Sequence, residues 1–131
     1  MNSLSTKLAV VGVVGLVGVG LVVPAASASA PRIVRSHGSC SATATWKLKA
    51  KADSGKIDVE FQVDSNAAGQ TWKVRLKDNG VRVFRGTRLT DGPSGSLDVS
   101  RLIANRPGSD HLVGIARYPA TGEVCRGSLS F

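Results

Sequence analysis

Acidic residues are scarce in this chain, and so are the residue types on which most catalytic and metal chemistry depends. Nine Asp and Glu stand against 17 Lys and Arg, and there are only two histidines and two cysteines. There is no C-x-x-C, no H-E-x-x-H and no EF-hand-type loop, so zinc and calcium chemistry lack a framework. The segment Asp91-Gly92-Pro93-Ser94-Gly95 offers one carboxylate, too few for calcium. No G-x-S-x-G elbow singles out a nucleophile. A triad assembled from Asp110, His111 and one of many serines has nothing to fix it, and both His37 and His111 read as surface or turn residues. Paired carboxylates for glycosidic cleavage need inward-facing acids. Asp58, Glu60 and Asp64 instead alternate with apolar residues on the polar side of a strand, among lysines. The chain is therefore expected to be no enzyme, with no catalytic residue, no metal and no cofactor.

Long apolar runs are also missing, with one exception. Leu8 to Val23 carries no charge, a single Lys7 precedes it, and Pro24-Ala25-Ala26-Ser27-Ala28-Ser29-Ala30 follows. A positive n-region, an apolar h-region and small residues in that order predict a cleaved secretory signal peptide. The run is short for a membrane span, which needs about 20 residues. Cleavage is expected after Ala28; the alternative after Ala30 places Pro31 directly behind the cut. No Cys follows the run to carry a lipid anchor. The expected organisation is a signal peptide over 1–28 and one domain over 29–131, secreted, without stable membrane insertion after cleavage. In an oxidising compartment the isolated pair Cys40 and Cys125 predicts a disulfide. In the entropic account, closing so long a loop restricts the unfolded chain by about 4–5 kcal/mol.

From Ser41 onward the dominant period is two, the mark of half-buried strands. Ala42, Ala44, Trp46, Leu48 and Ala50 alternate with polar residues, and after Asp53-Ser54-Gly55 so do Ile57, Val59, Phe61 and Val63. Folded as a hairpin with Lys51 opposite Lys56, these segments place Lys49 opposite Asp58 and Lys47 opposite Glu60. The same register sets Trp46 against Phe61 and Leu48 against Val59. Trp72, Val74 and Leu76 form a third strand, and Asn79-Gly80 suits a tight turn. Val81 and Val83 begin a shorter fourth that fades by Gly86. Leu97 and Val99 mark a fifth, followed by a single helical turn at Arg101 to Asn105. Leu112 to Tyr118 is a sixth, and Cys125, Gly127, Leu129 and Phe131 alternate along a seventh. Seven strands without a convincing helix predict an all-β, two-sheet antiparallel sandwich. Both tryptophans are expected in its core.

The pieces Ser39-Cys40, Gly69-Gln70-Thr71-Trp72, Gly108-Ser109-Asp110 and Gly122-Glu123-Val124-Cys125 carry a resemblance. Together they look like the short secreted immunoglobulin-like or fibronectin-III-like domains common in actinobacteria. The likeness covers most of residues 29–131. The chain departs from antibody-type domains in that its cysteines join the first strand region to the last. Its size and Ser130-Phe131 ending also resemble the secreted chromoprotein carriers of antitumour antibiotics, which carry two disulfides where this chain has cysteines for one. What the immunoglobulin-like resemblance implies is that the third, sixth and seventh strands share a sheet.

Excess positive charge is the one surface feature that stands out. Without Lys7, residues 29–131 keep 16 of the 17 Lys and Arg against all nine acids. Lys73, Arg75 and Lys77 share one side of the third strand, with Arg82 and Arg85 on the next and only Asp78 nearby to offset them. If the sheet is shared as the resemblance implies, Arg117 and Arg126 join the same outer surface, with Val113 and Ile115 among them. A basic face outside the cell attracts anionic surfaces such as cell-wall polymer, and another extracellular protein is a further possible partner. Nucleic acid is not expected, because the few aromatics fall at core positions. The expected role is a small non-enzymatic binding module for anionic envelope components. The alternative is an inhibitor of an extracellular peptidase, presenting Thr87 to Ser96 as its loop.

Overall fold

A computed structural model describes residues 11–25 and 29–131, so Lys7 and the expected cleavage position after Ala28 lie outside the described residues. Residues 11–25 have no regular secondary structure and expose their Val and Leu side chains. No described helix is long and apolar enough to cross a membrane.

The rest is all-β. Eight strands, β1 (Ile33–Ser39), β2 (Thr45–Asp53), β3 (Lys56–Asp64), β4 (Thr71–Asp78), β5 (Val81–Leu89), β6 (Ser96–Ala104), β7 (His111–Tyr118) and β8 (Glu123–Ser130), form two antiparallel sheets. Sheet A has the order β1-β2-β3-β6 and sheet B the order β5-β4-β7-β8. The alternation read from the sequence fixes which side of each strand faces in. Trp46, Leu48, Ala50, Ile57, Val59, Phe61 and Val63 of sheet A are buried against Trp72, Val74, Leu76, Leu112 and Ala116 of sheet B. Both tryptophans are in the core, as expected. The Trp72 ring stacks on Tyr118 at 5.3 Å between centroids, and its Nε1–H donates to Gln70 Oε1. Glycines let the sheets close on the large rings: a Cβ on Gly114 would meet Phe61 at 2.7 Å, and one on Gly127 would meet Trp46 at 2.5 Å.

The two ends of the sheets are closed by different means. On one side β1 and β8 are the facing edges, and the Cys40–Cys125 disulfide joins them, with Cα atoms 4.3 Å apart. On the other side β5 and β6 face each other. Phe84 fills that seam, and the guanidiniums of Arg88 and Arg101 each lie 5.0 Å from its ring centre. Cation–π contacts of this kind contribute about 0.5–1 kcal/mol each at partly exposed sites.

Four expectations are corrected. The β2–β3 hairpin has Lys51 opposite Asp58 and Asp53 opposite Lys56, two residues away from the expected register. The turn is Ser54-Gly55 alone, with φ of 49° and 81°, the two-residue geometry that suits the strand twist. Trp46 consequently faces Val63, and Leu48 faces Phe61. A shift of two leaves every side chain on its expected side, so alternation cannot detect it. Second, an eighth strand, β1, precedes the expected first and carries His37. Its inward positions are Val34, Ser36 and Gly38, and Gly38 lies under the Trp46 ring, so it shows no apolar alternation. Third, Arg101 to Asn105 is no helical turn, because β6 continues through Ala104. Arg101 occupies an inward position opposite Val59 and interrupts the apolar pattern by reaching out over Phe84. Fourth, β5 does not fade by Gly86 but extends to Leu89. The register shifts between Leu76 and Lys77, which leaves Val83 without a partner and brings Phe84 to an inward, buried position opposite Leu76.

Candidate anion-binding face

β4 is a central strand of sheet B, and its outward residues are Lys73, Arg75 and Lys77. Pairing brings other cations beside them. Lys73 lies opposite Arg117 of β7. Arg75 lies opposite Arg85 of β5, and Lys77 opposite Arg82. The bulge makes this possible. Arg82 and Arg85 are an odd number of residues apart and would face opposite sides of a regular strand. With Val83 as the extra residue, both face outward. Arg126 of β8 completes the set opposite Ile115. All of these cations are exposed except Lys77, which is half-buried.

Every cation expected on this face, Arg85 included, is thus on one surface. The apolar centre is smaller than expected. Val113 points outward but is only 7% exposed, between Lys77 and Ser128, and Ile115 is half-buried. A groove of about 450 Å³ runs over β5, β4 and β7, lined by Lys73, Arg75, Arg82, Arg85, Ile115 and Arg117 among others.

The electrostatics of this face are one-sided. Seven of the 16 Lys and Arg in residues 29–131 are on it and no Asp or Glu is, while the other nine equal the nine acids of the chain. The net charge of residues 29–131 therefore resides on one side of one sheet. Among the described residues the one ion pair is Lys49–Glu60 on the outside of sheet A, at 2.6 Å. Like charges directly opposite each other in a ladder destabilise it, and this face has three such pairs.

The nearest acid, Asp78, turns inward at the end of β4 and meets Asp110, which is fully buried. Burial, together with the hydrogen bond and charge of Asp110, pushes Asp78 up to about 6, and Arg106 draws it back in part. One oxygen of each carboxyl, Oδ1, has no partner, while the Asn105 amide, turned to donate, reaches Asp110 Oδ2 at 3.0 Å. Asp110 is buried, while its sequence neighbour His111 is exposed. Among the described residues no group of three or more His, Cys, Asp and Glu is placed to hold a metal ion.

The segment Thr87 to Ser96 is no projecting loop. Thr87 to Leu89 belong to β5, and Thr90 is buried, its hydroxyl donating to the Ala67 carbonyl at 2.6 Å. Asp91 and Ser96 then exchange backbone hydrogen bonds around a tight turn, so the exposed residues of this segment lie on edge strand β5 and in that turn. Comparison of the chain with family models, curated proteins and solved structures returns no match.

Proposed function

We propose that residues 29–131 are an exported, non-enzymatic module that binds anionic envelope components through the outer face of sheet B. The observation that carries this reading is the segregation of charge. Seven cations share that face without an acid, and three cross-strand pairs set like charge against like. A fold that tolerates such repulsion gains stability when an anion neutralises it. The leader-like N-terminus and the disulfide support export, because such bonds persist in oxidising compartments. The strand order β2-β3-β6 against β5-β4-β7-β8 supports the immunoglobulin-like resemblance, with β1 as an added edge. The peptidase-inhibitor alternative has no comparable support, since its loop is folded into β5 and a short turn.

Isolated anionic cell-wall polymer is the probe that tests the proposal. Binding is expected at low salt, with a rise in melting temperature, and both fade as the Debye length contracts toward about 8 Å at physiological strength. Absence of binding at any salt concentration overturns it.

A further inference from the structure

We infer that the ligand of this face is a linear polyol-phosphate polymer lying along β4, an inference that rests on the anion-binding reading above. Three features of the face select it. The first is a repeat. Lys73, Arg75 and Lys77 point the same way at every second residue of β4, which spaces them by about 7 Å. Each is paired across the ladder with an arginine: Lys73 with Arg117, Arg75 with Arg85, and Lys77 with Arg82. The face therefore holds three clamps, each of two cations with at least one guanidinium. Two lie on the β5 side of β4 and the Lys73–Arg117 clamp on its β7 side, so that a chain bound to all three crosses β4 between Lys73 and Arg75. A phosphodiester presents two unesterified oxygens, one for each cation of a clamp, and the guanidinium fork suits that group. An extended chain with a short polyol between its phosphates is thus the kind of polymer that sets successive phosphates against successive clamps.

The second feature is the lack of any platform for rings. Trp46, Phe61, Trp72, Phe84 and Phe131 are buried, and Tyr118 is half-buried against Trp72. No aromatic faces outward from sheet B, so neither nucleobases nor sugar rings find a surface to stack on. Recognition must come from the charged backbone itself.

The third is the shape and polarity of the surface. The groove of about 450 Å³ over β5, β4 and β7 accommodates a chain. A bilayer would instead call for apolar anchors on the face. The exposed apolar residues of sheet B, Val81 and Leu89 on β5 and Val124 on β8, lie on opposite edge strands with β4 and β7 between them. They form no patch.

The test is titration of the folded protein with glycerol-phosphate oligomers of increasing length, compared with a polyuronate, single-stranded DNA and vesicles rich in anionic lipid. Affinity for the glycerol-phosphate series is expected to climb until three phosphates are present and to exceed that for the other probes at equal charge. Lys73→Gln, Arg75→Gln and Lys77→Gln should each weaken binding about fivefold or more and lower the slope of log affinity against log salt by about 1. Lys47→Gln, on the outside of sheet A, should change neither. Equal losses from Lys47→Gln overturn the clamp model. A polyuronate, DNA or vesicle that binds as tightly, with the same dependence on β4, overturns the phosphate assignment and leaves the anion-binding reading standing. Failure of every polyanion at low salt removes both.

Discussion

On the outside of sheet A, Arg35, Lys47, Lys49, Lys51 and Lys56 are interleaved with Asp53, Asp58, Glu60, Asp64 and Asp98, and the ladder sets Lys49 between Arg35 and Glu60, Lys51 beside Asp58 and Lys56 beside Asp53. On the outside of sheet B seven cations meet no acid, and the ladder sets Arg75 beside Arg85 and Lys77 beside Arg82. Both faces use the same alternation of inward apolar and outward charged residues, so the difference does not come from the demands of folding. Sheet A shows that compensated charge is available to this sequence. Sheet B forgoes it and accepts repulsion, which is the expected state of a surface complementary to something negative.

The sharpest way to probe that contrast is to remove the acid that borders the cationic face from beneath. Asp78, pushed up to about 6 from an ordinary value of 3.8, keeps its proton in the folded state at pH values where the unfolded chain has released it. Its contribution to stability is therefore complete below about pH 4 and is lost as the pH rises through 6. Asp78→Asn is expected to recover up to about 3 kcal/mol at neutral pH, and little in acid. Denaturation of both proteins from pH 4 to 8 reads the difference. If the two curves run parallel, Asp78 is not held in its protonated form.

Next in size is the asymmetry in binding. The double variant Arg75→Gln, Lys77→Gln should lose about a hundredfold in affinity for anionic polymer at low salt, on the basis of two charge-assisted hydrogen bonds. Lys47→Gln, Lys49→Gln removes the same charge from sheet A and should lose far less. Matched losses would erase the distinction between the faces.

The smallest effect carries the most specific sign. Arg85→Gln relieves repulsion from Arg75 and should stabilise the free protein by about 0.5 kcal/mol. Lys49→Gln breaks the partly exposed pair with Glu60 and should destabilise it by a similar amount. Melting temperatures shifting in the same direction would contradict the comparison.

What the sequence makes legible follows the same physics. Strict alternation along Trp46 to Ala50, Ile57 to Val63 and Trp72 to Leu76 reveals those strands and their inward sides. It also reveals the cations of β4, because they share its parity. Register stays hidden, since a slip of two residues preserves parity, and only the two-residue turn at Ser54-Gly55 decides it. β1 is hidden because Gly38 occupies an inward place that in other strands belongs to a large residue. The extent of β6 is hidden because Arg101 stands inward and reaches Phe84. The convergence of Arg82 and Arg85 depends on the bulge at Val83, and no local pattern announces it. The absence of acids across the whole face becomes visible only once β7 and β8 are placed beside β4.

The disulfide near the two ends of the described domain has a mechanical consequence. Cys40 and Cys125 are 85 residues apart in sequence, and the bond joins them directly. Tension between a point preceding Cys40 and Phe131 travels through that bond and bypasses everything in between. Strands β2 to β7, with the clamps of β4, carry no load along their backbone. Only β1 and the last residues of β8 can be peeled away. Pulled from its ends, the domain should lengthen by no more than those short segments while its cationic face keeps its form.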